Sequence, residues 1–386
     1  MAPLGAWARG LRAAAGDATA RPTIVAGNEA SDADSIVSAL VYAYLLAHSG
    51  IGGCVIPVVA CGRADISLRG ETVLLLSLCG VDASHLVFLD DPEVEGLLAR
   101  CERLVLTDHN QATGSLAALD AKVSEIVDHH KDLGAHGHVT GEQRTIAFEG
   151  EKATAGSACS LITEAFLAAA NGPELLASDG GAAARALLGV VLIDTVNLDP
   201  KAQKATPRDI AAVEALERAS PEPARGELFA KLDAAKFDEA FWSSLEVEQC
   251  LRYDFKQFDT AGRSLGLSSV LCSLEALASK AGWADAVEKW AGRYALYGVL
   301  SMTKSPGGGA PQRQLLLISA DGGALAAAAA EFATAYDQPA LQLEPLELQG
   351  PAGMKAFRQL NSGASRKQVA PCLGAFLASA AKCSAK

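Results

Sequence analysis

Between residues 23 and 130 the chain alternates short apolar runs with segments of helical period, and this alternation restricts the fold more than any other feature. The runs "TIVAG" (23–27), "VIPVVA" (55–60), "HLVFLDD" (85–91), "RLVLTDH" (103–109) and "SEIVDHH" (124–130) have strand length and branched aliphatic content. Between them, "SIVSALVYAYLLAHSG" and "DPEVEGLLARCE" repeat their apolar residues at helical spacing. Strands alternating with helices predict βαβ units and a mostly parallel sheet. Ligands of such sheets bind outside the carboxyl ends of the strands.

Acids and histidines sit where those ends should be. Asp32 and Asp34 follow the first run, Asp108 closes "RLVLTD", and Asp128, His129 and His130 close "SEIVDHH". Asp194 closes a later apolar run, "LLGVVLID", and is expected at a strand end like the others. Asp32 and Asp34 are placed ahead of the first helical turn, since residues two apart diverge on a helix. His129 and His130, adjacent in extended backbone, are expected to point to opposite sides. Taken singly, these residues have ordinary readings as helix caps, strand-end caps and turn residues. Taken together, four close carboxylates would repel one another and raise one another's pKa values. Divalent cations remove that conflict, with carboxylate oxygens suiting Mg²⁺ or Mn²⁺ and imidazole favouring Mn²⁺ or Co²⁺. Two ions ~3.5–4 Å apart serve phosphoryl transfer.

The 386 residues suit two domains, and the 50% hydrophobic content allows a large core. A formal charge of −12 argues against nucleic-acid binding but permits a local site for an anionic small substrate. The nine cysteines form no CxxC pair and are expected reduced, which places the chain in the cytoplasm. No apolar run is read as membrane-spanning. The first 21 residues are expected to form a surface helix rather than a targeting signal.

Composition shifts at "ERASPEPARGE" (217–227), a Pro-containing linker, so a second domain is expected from residue 223. Its elements are read as "DFKQFDTAGRSLGLSSV", a helix around 273–290, the strand "YALYGVLSMT", the Gly-Pro-rich loop "KSPGGGAPQ" (304–312), the strand "RQLLLIS" and the helix "GALAAAAAEFATAY".

The segments "GNEASDADS", "LTDHN", "IVDHH" and "LLGVVLIDTVNL" resemble the four motifs of the DHH phosphoesterase superfamily. "YDFKQF" (253–258) and "SRKQVAP" (365–371) resemble the basic motifs of the DHHA2 domain. That domain accompanies the subgroup of family II inorganic pyrophosphatases, eukaryotic exopolyphosphatases and Prune-like proteins. The resemblance spans about residues 24 to 371. It implies an α/β fold with a doubly wound, mostly parallel DHH domain (1–222) and a smaller α/β DHHA2 domain (223–386).

The resemblance also implies two divalent ions per site, Mg²⁺ with Mn²⁺ or Co²⁺ as alternatives. Asp32 and Asp108 match ligands of the first ion. Asp34, Asp108, His129 and Asp194 match ligands of the second, with Asp108 bridging. His130 matches the histidine that faces phosphate, and Lys256, Arg366 and Lys367 match the basic residues that grip it. Asp108, His130 and Asn28 are the expected catalytic residues. His109, Asn110 and Asp128 are expected to orient the residues beside them, and Gly156 and Ser157 either line a phosphate channel or make a helix–strand contact. Pyrophosphatases of the family carry histidine where this chain has Asn28; the "GNE" form is similar to exopolyphosphatases and Prune-like proteins. The expected activity is removal of terminal orthophosphate from short linear inorganic polyphosphate. Pyrophosphate or nucleotide hydrolysis, or a Prune-like interaction role, are the alternatives. The substrate is a phosphoanhydride, no nucleic acid or membrane partner is expected, and the chain is expected to be a monomer or weak homodimer.

Overall fold

Six strands build the first sheet of the computed structural model, which describes residues 2–50, 53–150, 152–305 and 309–384. They are β1 (Thr23–Ala26), β2 (Val55–Val59), β3 (Val87–Phe88), β4 (Arg103–Thr107), β5 (Val123–Asp128) and β6 (Arg144–Ile146). All pair in parallel, in the order β3-β2-β1-β4-β5-β6. The order reverses between β1 and β4, so the chain winds both ways from the centre, as the expected doubly wound fold requires. The central strands are continuous apolar runs because helices cover both faces. Ile24, Val25, Leu104, Val105 and Ile126 are buried with the helices Ala33–His48, Ala158–Ala168 and Gly172–Asp194 in one core. A two-stranded ladder, β7 (Phe148–Glu149) with β8 (Lys152–Ala153), follows β6.

The apolar run that ends at Asp194 is the second half of the Gly172–Asp194 helix, not a strand. It is apolar on every face, so periodicity cannot separate helix from strand there. The helix breaks at Ser178–Gly181, where Asp179, Gly180 and Gly181 take left-handed φ values of 53°, 62° and 76°. By length and composition it could cross a membrane, contrary to the sequence expectation, but it lies in the core of its domain. The N-terminal segment forms two short helices, Leu4–Ala8 and Leu11–Gly16, which bury Leu4, Ala8, Leu11 and Ala15.

The chain divides into two compact units, 1–236 and 237–386. The first runs past the expected boundary at 223 because the Arg225–Lys236 helix buries Leu228 and Leu232 in the first core.

The second unit holds a six-stranded mixed sheet: β9 (Asp254–Thr260), β10 (Arg263–Val270), β11 (Leu296–Thr303), β12 (Gln312–Ile318), β13 (Leu343–Pro345) and β14 (Lys355–Gln359). Its order is β13-β14-β12-β11-β10-β9, with only β10 and β11 parallel. The helices Ala324–Ala335 and Arg366–Ser384 share a core with Leu265, Leu267, Leu315 and Leu317 on one face. The expected helix around 273–290 is two helices, Leu274–Ala278 and Trp283–Ala291. Residues 306–308 of the Gly-Pro-rich loop lie outside the described residues.

Candidate metal centre

The loops after β1 and β4 meet at the point where strand order reverses. A Cβ on Gly27 would lie 2.4 Å from the Ser35 carbonyl oxygen, so glycine there lets the Ala33–His48 helix begin directly over the strand end. Asp32 is the N-cap of that helix and accepts from the Ser35 N–H at 3.0 Å. Asp34 lies inside the first turn, not ahead of it as expected. The two carboxylates do diverge, and each serves a different neighbour.

Asp108 follows β4 in a left-handed conformation (φ 62°), a turn that Asp tolerates better than most residues. Its backbone N–H donates to Val127 O at 2.9 Å. Its Oδ2 accepts from Ser35 Oγ at 2.6 Å and from Asn28 Nδ2 at 2.7 Å. Asn28 Oδ1 accepts from the Ala30 N–H at 2.9 Å. Asn28 therefore presents its donor, not its oxygen, to Asp108.

The other oxygen, Oδ1, faces the histidines. It lies 3.3 Å from His129 Nε2 and 3.5 Å from His130 Nδ1. Ligand atoms of Asp108, His129 and His130 fall within 4.8 Å of one another. The two rings pack edge to face with centroids 4.6 Å apart, so they do not point to opposite sides. They follow the end of β5, where the alternation of an extended strand no longer holds.

His129 Nδ1 is 3.0 Å from Ala155 O, which can only accept. Nδ1 therefore donates, which leaves Nε2, beside Asp108 and 3.7 Å from Asp34 Oδ2, as the nitrogen able to hold a metal. Asp128 Oδ1 accepts from the His129 and His130 N–H groups and from His130 Nδ1, at 2.8, 3.1 and 2.9 Å. Asn110 Nδ2 fixes Asp128 Oδ2 at 2.6 Å. Burial works against the charged Asp128, but the bond to His130 holds its carboxyl below the ordinary value. His109 turns away, with Nδ1 2.9 Å from Thr107 O, and burial lowers its pKa.

Asp34 is buried against the N-terminus of the Ala158–Ala168 helix. Oδ1 accepts from Ser157 Oγ and the Cys159 N–H, each at 2.9 Å, and Oδ2 from the Ala158 N–H at 2.7 Å. A carboxylate is favoured at that helix end. The turn 155–159 thus touches Asp34 and His129. Asp209 pins the turn: it accepts from the Gly156 N–H (2.8 Å), Ser160 Oγ (2.6 Å) and Thr206 N–H (2.7 Å). A Cβ on Gly156 would lie 2.7 Å from Lys204 O, so close packing requires glycine there.

Asp194 ends its helix beside this turn, at the end a helix dipole disfavours for an anion. The residue is half-buried, but its Oδ2 is shut from solvent and accepts no hydrogen bond among the described residues. Burial, with Asp32 close by, pushes its carboxyl up to about 6. Burial, then the Asp108 and Asp194 charges, push Asp34 well above the usual carboxylate range. Lys236 adds a positive charge near Asp194. Crowded acids with raised pKa values, an unsatisfied buried carboxylate oxygen and His129 Nε2 facing them form a donor set that fits a divalent cation.

The basic residues belong to the second unit. Arg366 begins the last helix, and its Nη1 and Nη2 donate to Asp254 O (2.9 Å), Ser269 Oγ (3.2 Å) and Asp254 Oδ1 (2.7 Å). Lys256 lies two residues along β9 from Asp254 and projects from the same face. Lys367 follows Arg366, with its N–H on Ser365 Oγ at 3.3 Å. The sequence reading named these three and the acids; it did not name Ser35, Asp209 or Lys236. Only Asp209 left a trace, as the fourth residue of the capping-box pattern that begins at Thr206.

Family comparisons match residues 22–192 to the N-terminal domain of the DHH family and residues 230–376 to the DHHA2 domain. Human exopolyphosphatase PRUNE1 is 32% identical over 357 residues, 91% of this chain and 74% of the human one. A Schizosaccharomyces pombe protein assigned as an exopolyphosphatase is 30% identical over 364 residues, 91% of this chain and 90% of its own. The crystal structure of a Methanococcus jannaschii protein, assigned as a family II inorganic pyrophosphatase, aligns with TM-score 0.61 and 20% identity over 92% of this chain and 99% of that one. That likeness establishes the fold alone. The sequence relatives, together with an Asp–His cluster at the strand-order reversal, establish the family: this chain belongs to the DHH phosphoesterases that carry a DHHA2 domain.

Proposed function

We propose that the protein is a metal-dependent exopolyphosphatase that removes terminal orthophosphate from short linear inorganic polyphosphate. The observation that carries the reading is the convergence of Asp34, Asp108, His129 and Asp194 beside an oriented His130, in a chain 30–32% identical to exopolyphosphatases. These four residues are assigned to one divalent ion, and Asp32 with Asp108 to a second; Mg²⁺ is the proposed ion, with Mn²⁺ and Co²⁺ as alternatives. Asn28 supports the preference for Mg²⁺, since it puts a donor where a nitrogen ligand would favour softer ions.

When bound, divalent cations lower the pKa of water and neutralise charge on the phosphoryl group. The chain does the rest. Ser35 and Asn28 hold Asp108 so that Oδ1 faces the histidines. The Ala155 carbonyl accepts from His129 Nδ1, which leaves Nε2 toward the acids. Asp128 orients the His130 ring through Nδ1, and His130 is assigned to face the phosphate. Arg366, Lys256 and Lys367 are assigned to phosphate binding, with Arg366 exchanging its bonds to Asp254 for phosphate oxygens. No side chain is required as a covalent nucleophile.

The test is a ³¹P NMR time course on tripolyphosphate with Mg²⁺. Equal growth of orthophosphate and pyrophosphate, abolished by EDTA, is the expected result. Absence of both products with Mg²⁺, Mn²⁺ and Co²⁺ would overturn the reading.

A further inference from the structure

Arg313 is the second residue of β12, on the sheet face that also carries Leu315 and Leu317 of the second core. Strand register fixes its surroundings. Asp254 pairs with Ser269, β10 runs parallel to β11, and Met302 of β11 pairs with Arg313. Asp254, Lys256, Ser269 and Arg313 therefore project from one face, and Asp254, Ser269 and Arg313 stand at one end of the sheet. The helix that begins with Arg366 covers this same face and sets its guanidinium on Asp254 and Ser269.

The Arg313 guanidinium is half-buried, and its Nε donates to Ser362 O at 2.6 Å, in the loop that leads into Arg366. Among the described residues it has no carboxylate partner and no other hydrogen bond. Four of the five N–H groups of the fork are thus unused by the protein. Burial alone accounts for a pKa held below the ordinary arginine value. A partly desolvated cation with no counter-charge is costly to keep, and an apolar side chain would serve the strand better.

We propose that Arg313 binds a phosphate group of an elongated polyanion, beyond the phosphate held by Arg366 and Lys367, and so favours chains of three or more phosphates over pyrophosphate. Two strand spacings and two residues separate the Cα atoms of Ser269 and Arg313, about 12 Å. On this proposal a longer chain seated on Arg366 extends to Arg313, and a two-phosphate ligand does not engage it. The inference rests on the phosphoanhydride reading above and deepens it.

The test is calorimetric binding of pyrophosphate and tripolyphosphate to the full chain in EDTA, for wild type, Arg313→Gln, Arg313→Lys and Arg366→Ala. Arg313→Gln keeps a donor for Ser362 and removes the charge. It should weaken tripolyphosphate about tenfold or more and pyrophosphate less than about twofold. Arg313→Lys should recover part of the loss, and Arg366→Ala should weaken both ligands. Equal losses for both ligands in Arg313→Gln, no loss, or no tripolyphosphate binding by wild type would each overturn the proposal. Hydrolysis of tripolyphosphate is followed in the same preparations with Mg²⁺. Selective binding without hydrolysis supports the Arg313 site and overturns the reaction. Hydrolysis with equal binding losses does the reverse.

Discussion

Asp108 Oδ2 accepts from both Asn28 and Ser35, so Oδ1 is the oxygen turned to His129 and His130. Histidine at position 28 would exchange an amide donor for a ring nitrogen able to ligate. Asn28→His should therefore bind Mn²⁺ about tenfold more tightly, ~1.4 kcal/mol, and raise pyrophosphate hydrolysis relative to tripolyphosphate. Calorimetry with Mn²⁺ and Mg²⁺, and kcat/KM on both substrates, check it; unchanged values in both would free Asn28 of that role. Asp194 makes a second prediction. Its carboxyl titrates at about 6 in the folded protein and near ~3.9 in the unfolded chain. Between those values the folded state holds more protons, so the metal-free protein loses stability as pH rises through the window. Asp194→Asn removes that loss. Without metal it should match wild type near pH 4 and exceed it by ~1–2 kcal/mol near pH 7. Thermal unfolding in EDTA across that range measures the difference, and a gap that stays constant with pH would contradict the assignment.

At the scale of elements, the turn 155–159 matters as much as any strand. It supplies an acceptor to His129 and donors to Asp34, and Asp209 holds it against the Pro207–Ala219 helix. Asp209→Ala should cost ~2–4 kcal/mol through the lost cap and the buried donors left unpaired. It should also weaken metal binding ~10–100-fold, because the ligands lose their orientation. Metal affinity by calorimetry, read on protein shown folded by circular dichroism, separates positioning from mere stability. Gly156 and Ser157 stood out in the sequence, but the contacts of the turn to Asp34 and His129 did not, since backbone N–H groups leave no residue signature. The strands β1, β2, β4 and β5 could be read there, because central parallel strands are unbroken apolar runs. β6, three half-buried residues with no apolar run, was invisible, and β3 is two residues long where seven were quoted. Asp32, Asp34, Asp108, His129 and His130 were legible because each follows such a strand. Asp194 was found for the wrong element, since a run buried on all sides has no period to betray it. The pairing of Arg366 with Asp254 and the open fork of Arg313 depend on strand register across the second sheet, which no local pattern encodes.

For the whole molecule, the acids stand at the rim of a sheet whose apolar core lies among Ile24, Val25, Leu104 and their helices. An isosteric change at one of the acids should therefore leave that core in place. Asp108→Asn is the sharpest such change, because it removes the charge that faces both histidines while leaving oxygen and shape. The measurement is orthophosphate release from tripolyphosphate with Mg²⁺, for wild type and Asp108→Asn, with bound metal counted in both. The account predicts Mg²⁺-dependent release by wild type, and a folded variant with less than a few per cent of that rate and less bound metal, a loss of at least ~2 kcal/mol in transition-state stabilisation. A folded Asp108→Asn protein that turned over at the wild-type rate with a full complement of metal would contradict it.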